Sequence, residues 1–340
     1  MSGALEVVAC PMPISIQDLG RPGYRHLGVP LSGALDGLSL QLLNALAGNA
    51  VDAAVLEMRL VGPTLRAGTA VRVALAHATG SIERGGESKE MQSLPPWQTA
   101  TLQAGDCLRI GQVSGGAAYL AVSGGFAVPM VLGSRSFYAR AGIGASLGVG
   151  TKLPVTAQAP EGDERAVLPA PTFDNEDPLR VMPGPQAGHF TAAAFATLYG
   201  NSYRVGRAAD RMGLRLEGPL LQHDPLRGAD IASDAVTPGA IQVPGDGQPI
   251  VLLADGQTVG GYAKIATVIS ADLPRLGRLL PGDELRFAPV DAAAARAVRQ
   301  ATDAWLAAQI AAIRALPPAG GVDLLALYSQ NLVDGVIHAH

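Results

Sequence analysis

Short apolar runs separated by glycine and proline limit what this chain can fold into more than any other feature. The sequence contains 42 glycines and 25 prolines without low-complexity repeats, a density of turn formers typical of short strands joined by tight turns. Apolar runs of strand length occupy residues 71–75, 99–102, 108–110, 118–122, 179–182, 240–243, 250–253, 265–269 and 284–287. We therefore expect a mainly β protein built from barrels or sandwiches.

Helical signals are few. Asp36 precedes leucines at helical spacing and Gly48 follows them, which predicts a helix with an acidic N-cap and a glycine stop. A second short helix is expected over residues 191–199. An alanine-rich segment begins at Asp291, and we expect it to form a long helix to Pro317, because alanine has a high helix propensity and proline ends helices.

The length of 340 residues exceeds the size at which a single hydrophobic core usually keeps growing, so two domains are expected. Residues 156–178 combine proline and charge without periodicity, which predicts a linker. This division gives an N-terminal β-barrel domain over 1–155 and a C-terminal one over 179–290, followed by a helix and tail over 291–340.

Two short internal similarities raise the question of a duplication. Residues 59–65 (RLVGPTL) resemble 215–221 (RLEGPLL), and 104–110 (AGDCLRI) resemble 281–287 (PGDELRF), in the same order. Two copies of one barrel would explain them, but Gly-Pro and Gly-Asp turns are also common in β proteins.

Composition and charge argue against several partners. The 25 basic and 29 acidic side chains give a net charge of −4, and the basic residues are scattered, so we expect no nucleic-acid partner. No apolar stretch approaches the roughly 18 residues of a membrane span, and the N-terminus shows no secretory signal, so we expect a cytoplasmic protein. Cys10 and Cys107 lie at no metal-like spacing, so neither a disulfide framework nor a metal site is expected.

The segment 254–266 (ADGQTVGGYAKIA) concentrates polar chemistry between two apolar strands. A minimal hairpin needs about two to five loop residues, but about ten intervene here, and excess loop length is more often functional. Gln257, Tyr262 and Lys264 contribute an amide, a phenol and an ammonium group, and the Gly260-Gly261 pair can present backbone N–H groups to an anion. The segment matches neither a phosphate loop nor a dinucleotide motif. We interpret it as one wall of a ligand cleft.

A second polar segment, residues 15–36, is too polar for a core strand and too rich in glycine and proline for a helix. Its acidic and basic side chains either pair only to fix the turn, or line a ligand site that the glycines allow the backbone to approach. The candidate substrate-binding residues are Gln17, Asp18, Arg21 and Asp36.

A third segment, 208–219 (AADRMGLRLEGP), contains Arg211 before a predicted strand. Arginine is suited to bidentate capture of a carboxylate or phosphate, although a simple surface turn is equally compatible with this sequence.

Taken in order, these segments resemble one protein family. Its members are named variously as the C subunit of 5-oxoprolinase, KipA, allophanate hydrolase subunit 2 and biotin-dependent carboxyltransferase. The similarity spans about residues 5–290 and is carried by IQDLGRPGYRHLGVPLSGALD, LEMRLVGPTL, YLAVSGGFAVPMVLGSRS, RAGIG, PGPQ, DRMGLRLEGP, GAIQVPGDGQPIVLLADGQTVGGYAKIATVISADL and PGDELRF.

The resemblance implies two cyclophilin-like β barrels that pair with a smaller, KipI-like B subunit. With a third, lactam-utilisation A subunit, the complex would use ATP to hydrolyse a cyclic amide, 5-oxo-L-proline, to L-glutamate. Two alternatives stay open. In one, the chain is the carboxyltransferase component of a urea carboxylase or allophanate system, and only there would biotin be needed. In the other, it is a non-catalytic antagonist of KipI.

Residue roles follow from that resemblance and from the chemistry of lactam opening, which places negative charge on the carbonyl oxygen. Donors aimed at that charge would be Lys264, Arg211 and the Gly260-Gly261 amides, with Gln257 and Tyr262 orienting the substrate. Residues 17–36 would line the facing side. Departures from the family pattern put substrate preference in doubt: Gly256 replaces an arginine, Val259 a threonine and Ala263 a proline. SDAV (233–236) also stands where Ser-Glu-Gly-Val is usual, and GASLGVG replaces a more glycine- and arginine-rich version.

Overall fold

The computed structural model describes residues 3–85, 90–156, 162–173 and 178–316. It contains four α-helices in these ranges: α1 (Gly37–Ala47), α2 (Ala192–Gly200), α3 (Leu273–Gly277) and α4 (Ala292–Ala311). The strands of the first half are β1 (Gly3–Ala9), β2 (Ile14–Gln17), β3 (Val55–Met58), β4 (Thr64–Ala67), β5 (Val71–Ala76), β6 (Ala78–Glu83), β7 (Met91–Leu94), β8 (Thr99–Leu102), β9 (Cys107–Val113), β10 (Ala118–Val122), β11 (Lys152–Val155) and β12 (Arg165–Val167). Those that follow are β13 (Leu179–Pro183), β14 (Tyr203–Ala209), β15 (Gly213–Glu217), β16 (Asp230–Ala235), β17 (Ala240–Gln242), β18 (Ile250–Leu252), β19 (Val259–Tyr262), β20 (Lys264–Val268), β21 (Glu284–Leu285), β22 (Phe287–Pro289) and β23 (Ile313–Ala315).

The mainly β class is confirmed, and each predicted strand overlaps an observed one. In the first half, a six-stranded sheet (β11-β1-β4-β9-β6-β7) and a five-stranded sheet (β2-β3-β10-β5-β8) enclose one apolar core. In the second half, an eight-stranded sheet (β21-β14-β15-β18-β17-β20-β13-β22) surrounds another. Leu35, from the polar segment 15–36, packs into the second core, so this segment crosses between the halves.

The prediction that residues 254–266 form a hairpin loop between β18 and β20 is wrong. β18 and β20 are not neighbours, because the fully buried strand β17 lies between them and pairs with both. The intervening chain instead forms β19, which pairs with β16 in a separate two-stranded ribbon. The polar segment is long because it leaves the barrel sheet to build this ribbon.

The N-cap predicted for α1 and the predicted start of α4 at Asp291 are confirmed. Asp36 accepts hydrogen bonds from Leu38 N and Ser39 N, and Asp291 accepts one from Ala294 N at 2.8 Å. Helix α4 does not extend to Pro317, however, since it ends at Ala311.

Beyond α4 the chain forms β23, which pairs with β12 inside the segment predicted as a linker. Ile313 and Val167 then join an apolar cluster around α1 and α4, and this pairing and burial outweigh the helix propensity of the alanine-rich sequence. The predicted tail from residue 317 onward lies outside the described residues. No helix in the described ranges is long and apolar enough to cross a bilayer.

The internal similarity between 104–110 and 281–287 has a structural counterpart. In the Gly105-Asp106 turn, the glycine N–H donates to Ala67 O at 2.8 Å and Ala67 N–H donates to Asp106 O at 2.9 Å. The Gly282-Asp283 turn repeats both bonds with Val205, at the same distances. Both glycines have positive φ angles, +91° and +99°, which other residues adopt at a cost. The shared turn fits a duplicated barrel as well as a common Gly-Asp turn, and the other similarity does not align with it, because residues 59–65 precede Ala67 whereas residues 215–221 follow Val205.

Candidate active site

A buried lysine at the start of β20 is the centre of the candidate active site. Lys264 is 2% exposed, and its Nζ donates a hydrogen bond to Asp234 Oδ2 at 3.0 Å. Asp234 lies on β16 with its side chain 48% exposed, and it also accepts a hydrogen bond from Gln186 Nε2 at 2.9 Å. A buried ammonium group is costly without a partner. Asp234 therefore stabilises the lysine while its own carboxylate stays accessible from solvent.

The same contacts shift the titration of Asp234. Hydrogen bonds from Lys264, then from Gln186 and the backbone N–H of Ala235, lower the pKa of this carboxyl below its usual range. The carboxyl of Asp234 is thus favoured in its ionised form.

Two amide side chains complete the cluster. Gln257 Nε2 donates to Gln242 Oε1 at 3.1 Å, and Gln242 lies opposite Lys264 in the register of β17 and β20. A Cβ atom on Gly260 would come within 2.4 Å of Gln242 Nε2, so the glycine allows β19 to lie close to this amide. We call Lys264, Asp234, Gln186, Gln242 and Gln257 the lysine cluster.

A tight turn after β13 brings Gln186 to the cluster. A Cβ atom on Gly184 would lie 2.2 Å from Lys264 O, so only glycine permits this approach of the two backbones. Gln186 Oε1 then accepts a hydrogen bond from Lys264 N at 3.4 Å.

The other predicted residues of this segment lie on the ribbon. Gly261 and Tyr262 belong to β19, and Tyr262 is 41% exposed. A Cβ atom on Gly261 would make only ordinary contacts, the nearest at 3.7 Å. These two residues therefore sit beside the lysine cluster on an accessible edge.

Arg211 lies between the two halves of the chain, where it forms a second charged cluster. Its guanidinium pairs with Asp255, with Nε to Oδ2 at 2.8 Å, and with Glu57, and it donates to Gly33 O at 2.6 Å. Burial alone would lower the pKa of Arg211, but the two carboxylates raise it above its ordinary value. We call Arg211, Glu57 and Asp255 the arginine clamp.

The clamp is continued by a buried tyrosine. Tyr119 donates its hydroxyl hydrogen to Glu57 Oε2 at 3.1 Å and accepts one from Asp36 N at 2.8 Å. Burial first, and then the neighbouring carboxylates, raise the pKa of Tyr119 well above its usual value. The phenol therefore stays neutral and works as a fixed hydrogen-bond donor.

The four residues predicted to bind substrate from segment 15–36 are packed in the interior. Asp18 accepts hydrogen bonds from Gly20 N, Arg135 N and the hydroxyl groups of Ser134 and Ser136, at 2.5 to 2.8 Å. Its acceptor capacity is therefore spent on Gly20 and on residues 134–136 of a second loop, as expected where buried backbone groups need partners.

The other three also have protein partners. Gln17 Nε2 donates to Ser15 Oγ and Phe137 O, and Arg21 donates to Ser136 O. Asp36 caps α1 and lies 3.4 Å from the Nε of Arg278. Gln17, Arg21 and Asp36 are each 0% exposed, so the structure does not place them at an open surface.

The two polar segments that we expected to face each other do meet. Ser32 N donates to Ala254 O at 2.9 Å, and the Arg25 guanidinium donates to Gln257 O at 3.4 Å. The contact runs mainly through backbone atoms, and it anchors the loop that leads from the arginine clamp to the lysine cluster.

Sequence reasoning found Lys264, Gln257 and Gly260 but missed Asp234, Gln186 and Gln242. The first two missed residues lie in short motifs, SDAV over 233–236 and PGPQ over 183–186, and Gln242 lies in the predicted strand 240–243. Their polar side chains were the available signal.

The fold and the cluster together define a mainly β protein of two barrel-like halves, with a paired lysine in an amide-lined site on the second. The profile of the family described as carboxyltransferase domain, subdomain A and B, matches residues 27–289, and the chain belongs to this family.

The chain is similar to proteins with two kinds of named activity. The chain is similar to the C subunit of 5-oxoprolinase from Escherichia coli (strain K12), with 32% identity over 83% of this chain and 90% of the relative. It is also similar to the urea amidolyase of Lachancea kluyveri, with 30% identity over 88% of this chain but only 18% of that protein. The solved structure of the Kluyveromyces lactis urea carboxylase superposes with a TM-score of 0.80 at 27% identity, covering 93% of this chain and 30% of that one.

Proposed function

We propose that this chain is the C subunit of an ATP-dependent 5-oxoprolinase, which hydrolyses 5-oxo-L-proline to L-glutamate. The relatives named for this activity match nearly their whole length, 90% and 93%, whereas the chain spans under a third of the urea-linked proteins. Its partners would be the KipI-like B subunit, together with the lactam-utilisation A subunit.

The observation that carries the proposal is the pairing of buried Lys264 with the half-exposed Asp234. Hydrolysis adds water across the ring C–N bond: the carbonyl carbon becomes a carboxylate and the ring nitrogen becomes an amine. Negative charge develops on the carbonyl oxygen on the way, and a pre-positioned ammonium group stabilises it without reorganising. Lys264 would supply this donor, with the Gly260-Gly261 backbone beside it.

The amide side chains suit the remainder of the substrate. Gln257 carries both a donor and an acceptor, which match the C=O and N–H of a lactam, and Tyr262 lies on the accessible edge. Arg211 has its guanidinium committed to the clamp, so we assign it to holding the loop that carries Gln257 rather than to contacting substrate.

ATP would supply the activation of the carbonyl oxygen when it is bound to the assembled complex. The lysine cluster does not fit a triphosphate, because its five residues contain one cation for the several negative charges of that group. We therefore place ATP binding outside this cluster.

The test is ATP-dependent glutamate release by the chain coexpressed with its two proposed partners. We expect Lys264→Met to lower kcat by about 10²–10³-fold, the usual cost of removing one such donor. The exposed Lys152, on β11 of the first half, provides the matched control, and Lys152→Met should turn over normally.

Full turnover by Lys264→Met would contradict the assignment. If that variant fails to fold, Gln257→Ala tests the same site, since it should raise KM for 5-oxoproline while the complex still assembles.

A second candidate is the carboxyltransferase component of a urea carboxylase, in which biotin would be the carboxyl carrier. The superposition on the Kluyveromyces lactis enzyme over 93% of this chain favours it. Coexpression with a biotin carboxylase and its carrier domain distinguishes the two functions, because only this candidate predicts urea-dependent ATP turnover.

A further inference from the structure

A cavity of about 530 Å³ lies between the two halves of the chain, separate from the lysine cluster. Its walls come from Met12, Pro13, Arg59, Leu60 and Tyr138–Arg140 of the first half and from Arg207, Ala209–Met212, Asp255, Leu280 and Pro281 of the second. Cavities of roughly 300–1,000 Å³ accommodate drug-sized ligands. None of the five lysine-cluster residues lines it. We call it the arginine-rimmed pocket.

The lining of this pocket contains more positive than negative side chains. Four arginines line it, against Asp210 and Asp255. Both carboxylates are already used: Asp210 accepts hydrogen bonds from the backbone of its own turn, at Met212 N and Gly213 N, and Asp255 pairs with Arg211.

Three guanidinium groups remain for a ligand. Arg59 donates its Nε to Gly116 O at 3.0 Å, and neither it nor Arg140 nor Arg207 forms an ion pair with any residue in the described part of the chain. Guanidinium groups bind carboxylate and phosphate groups in bidentate geometry.

The rest of the lining is apolar or aromatic, and it comprises Met12, Pro13, Leu60, Tyr138, Ala139, Ala209, Met212, Leu280 and Pro281. Leu60 has a φ angle of +63°, which is strained for a branched residue, and such strain persists where surrounding structure enforces it and often at ligand sites. Leu60 is nevertheless 48% exposed.

We propose that the arginine-rimmed pocket binds a drug-sized organic anion, with its phosphate or carboxylate groups on Arg59, Arg140 and Arg207 and its apolar body against Tyr138 and Leu60. Because the walls come from both halves, such a ligand would bind the halves in their native arrangement and stabilise it. This inference does not depend on the reaction catalysed at the lysine cluster.

The test uses anilinonaphthalene sulfonate as the probe, since it combines a negative charge with an aromatic body. We expect the full-length folded chain to bind one equivalent, and the Arg140→Ala/Arg207→Ala double variant to bind it at least tenfold more weakly. Arg109, an exposed arginine on β9 outside the pocket, provides the control, and Arg109→Ala should bind like the native chain.

Displacement of the probe then distinguishes the head group. Competition by ATP but not by inorganic triphosphate supports a phosphorylated ligand whose body also contacts the pocket, and competition by benzoate but by neither phosphate compound supports a carboxylated one. Probe binding that is absent, or unchanged in the double variant while circular dichroism shows a native fold, would overturn the proposal.

Discussion

The arginine clamp and the lysine cluster pair the same kinds of groups but bury opposite partners. In the clamp the carboxylates are buried, with the Glu57 side chain 2% and the Asp255 side chain 9% exposed, while the Arg211 side chain is 18% exposed. In the lysine cluster the cation is buried at 2% and the Asp234 side chain is 48% exposed.

This difference separates a structural ion pair from one that a ligand can reach. Asp255 and Glu57 spend their oxygens on Arg211, Leu35 N and Tyr119, which joins the two halves and leaves nothing for substrate. Asp234 presents its carboxylate to solvent, so a bound molecule could compete for Lys264. Burial of the acidic partner is therefore the feature that distinguishes the two roles.

The largest loss of stability is expected for Arg211→Met. Removing one member of a buried ion pair leaves an uncompensated charge and typically costs about 3–5 kcal/mol, and here two carboxylates, Glu57 and Asp255, lose their partner. Urea unfolding monitored by circular dichroism measures the change in the free energy of unfolding.

The neighbouring Arg215 on β15 is exposed, so Arg215→Met serves as the matched control and should change stability by less than about 0.5 kcal/mol. Equal stability of the two variants would contradict the structural role of the clamp.

Sequence predicts the elements whose signals are local. Strand β10 is buried at every position, and its sequence is a continuous apolar run. Asp36 and Asp291 cap helices by accepting hydrogen bonds from backbone N–H groups two and three residues further along the chain. Strands β16 and β19 carry no such signal, because DIASDA and VGGY are mostly exposed and lack an alternating apolar face. Only their pairing with each other makes them strands.

The residues of the candidate active site were likewise predicted only where the sequence carries a local signal. Lys264 and Gln257 were identified because they lie in one overlong polar segment. Asp234 is separated from Lys264 by thirty residues in sequence, and only the β16–β19 pairing brings it near. Asp18 was nominated as a ligand-binding residue because sequence cannot show that a carboxylate is already saturated by serine hydroxyls and backbone N–H groups.

A smaller effect is expected for Gly260→Ala, which changes the lysine cluster without touching a charge. The new methyl group would lie 2.4 Å from Gln242 Nε2, so this flexible amide must move and its hydrogen bond with Gln257 is lost. The loss of one such bond costs about 1 kcal/mol of stability, and the displaced amides should lower kcat/KM for 5-oxoproline several-fold.

Gly245 provides the control for that substitution, because the nearest atom to a Cβ there is 4.0 Å away. Gly245→Ala should leave kcat/KM unchanged. A Gly260→Ala chain that loses stability but keeps its kcat/KM would contradict the assignment of the lysine cluster to the active site, because the cluster would then have the structural role that we assign to the clamp.

Asp234→Asn should lower stability less than Arg211→Met, because water can reach this half-exposed position, and its effect should appear as a change in pH dependence. Hydrogen bonds from Lys264, Gln186 and Ala235 N lower the pKa of Asp234 in the folded chain, so its contribution to stability is complete above the unfolded value of about 3.9 and is lost as pH falls through the lower, folded value. The stability difference between native and Asp234→Asn chains should therefore shrink below about pH 4.

Urea unfolding across this pH range measures the difference. Asp52→Asn, at an exposed turn of the first half, is the control for losing one negative charge. A difference that instead grew with acidification would mean that Lys264 does not hold Asp234 in its ionised form. The contrast drawn here between the arginine clamp and the lysine cluster would then be wrong for the lysine cluster.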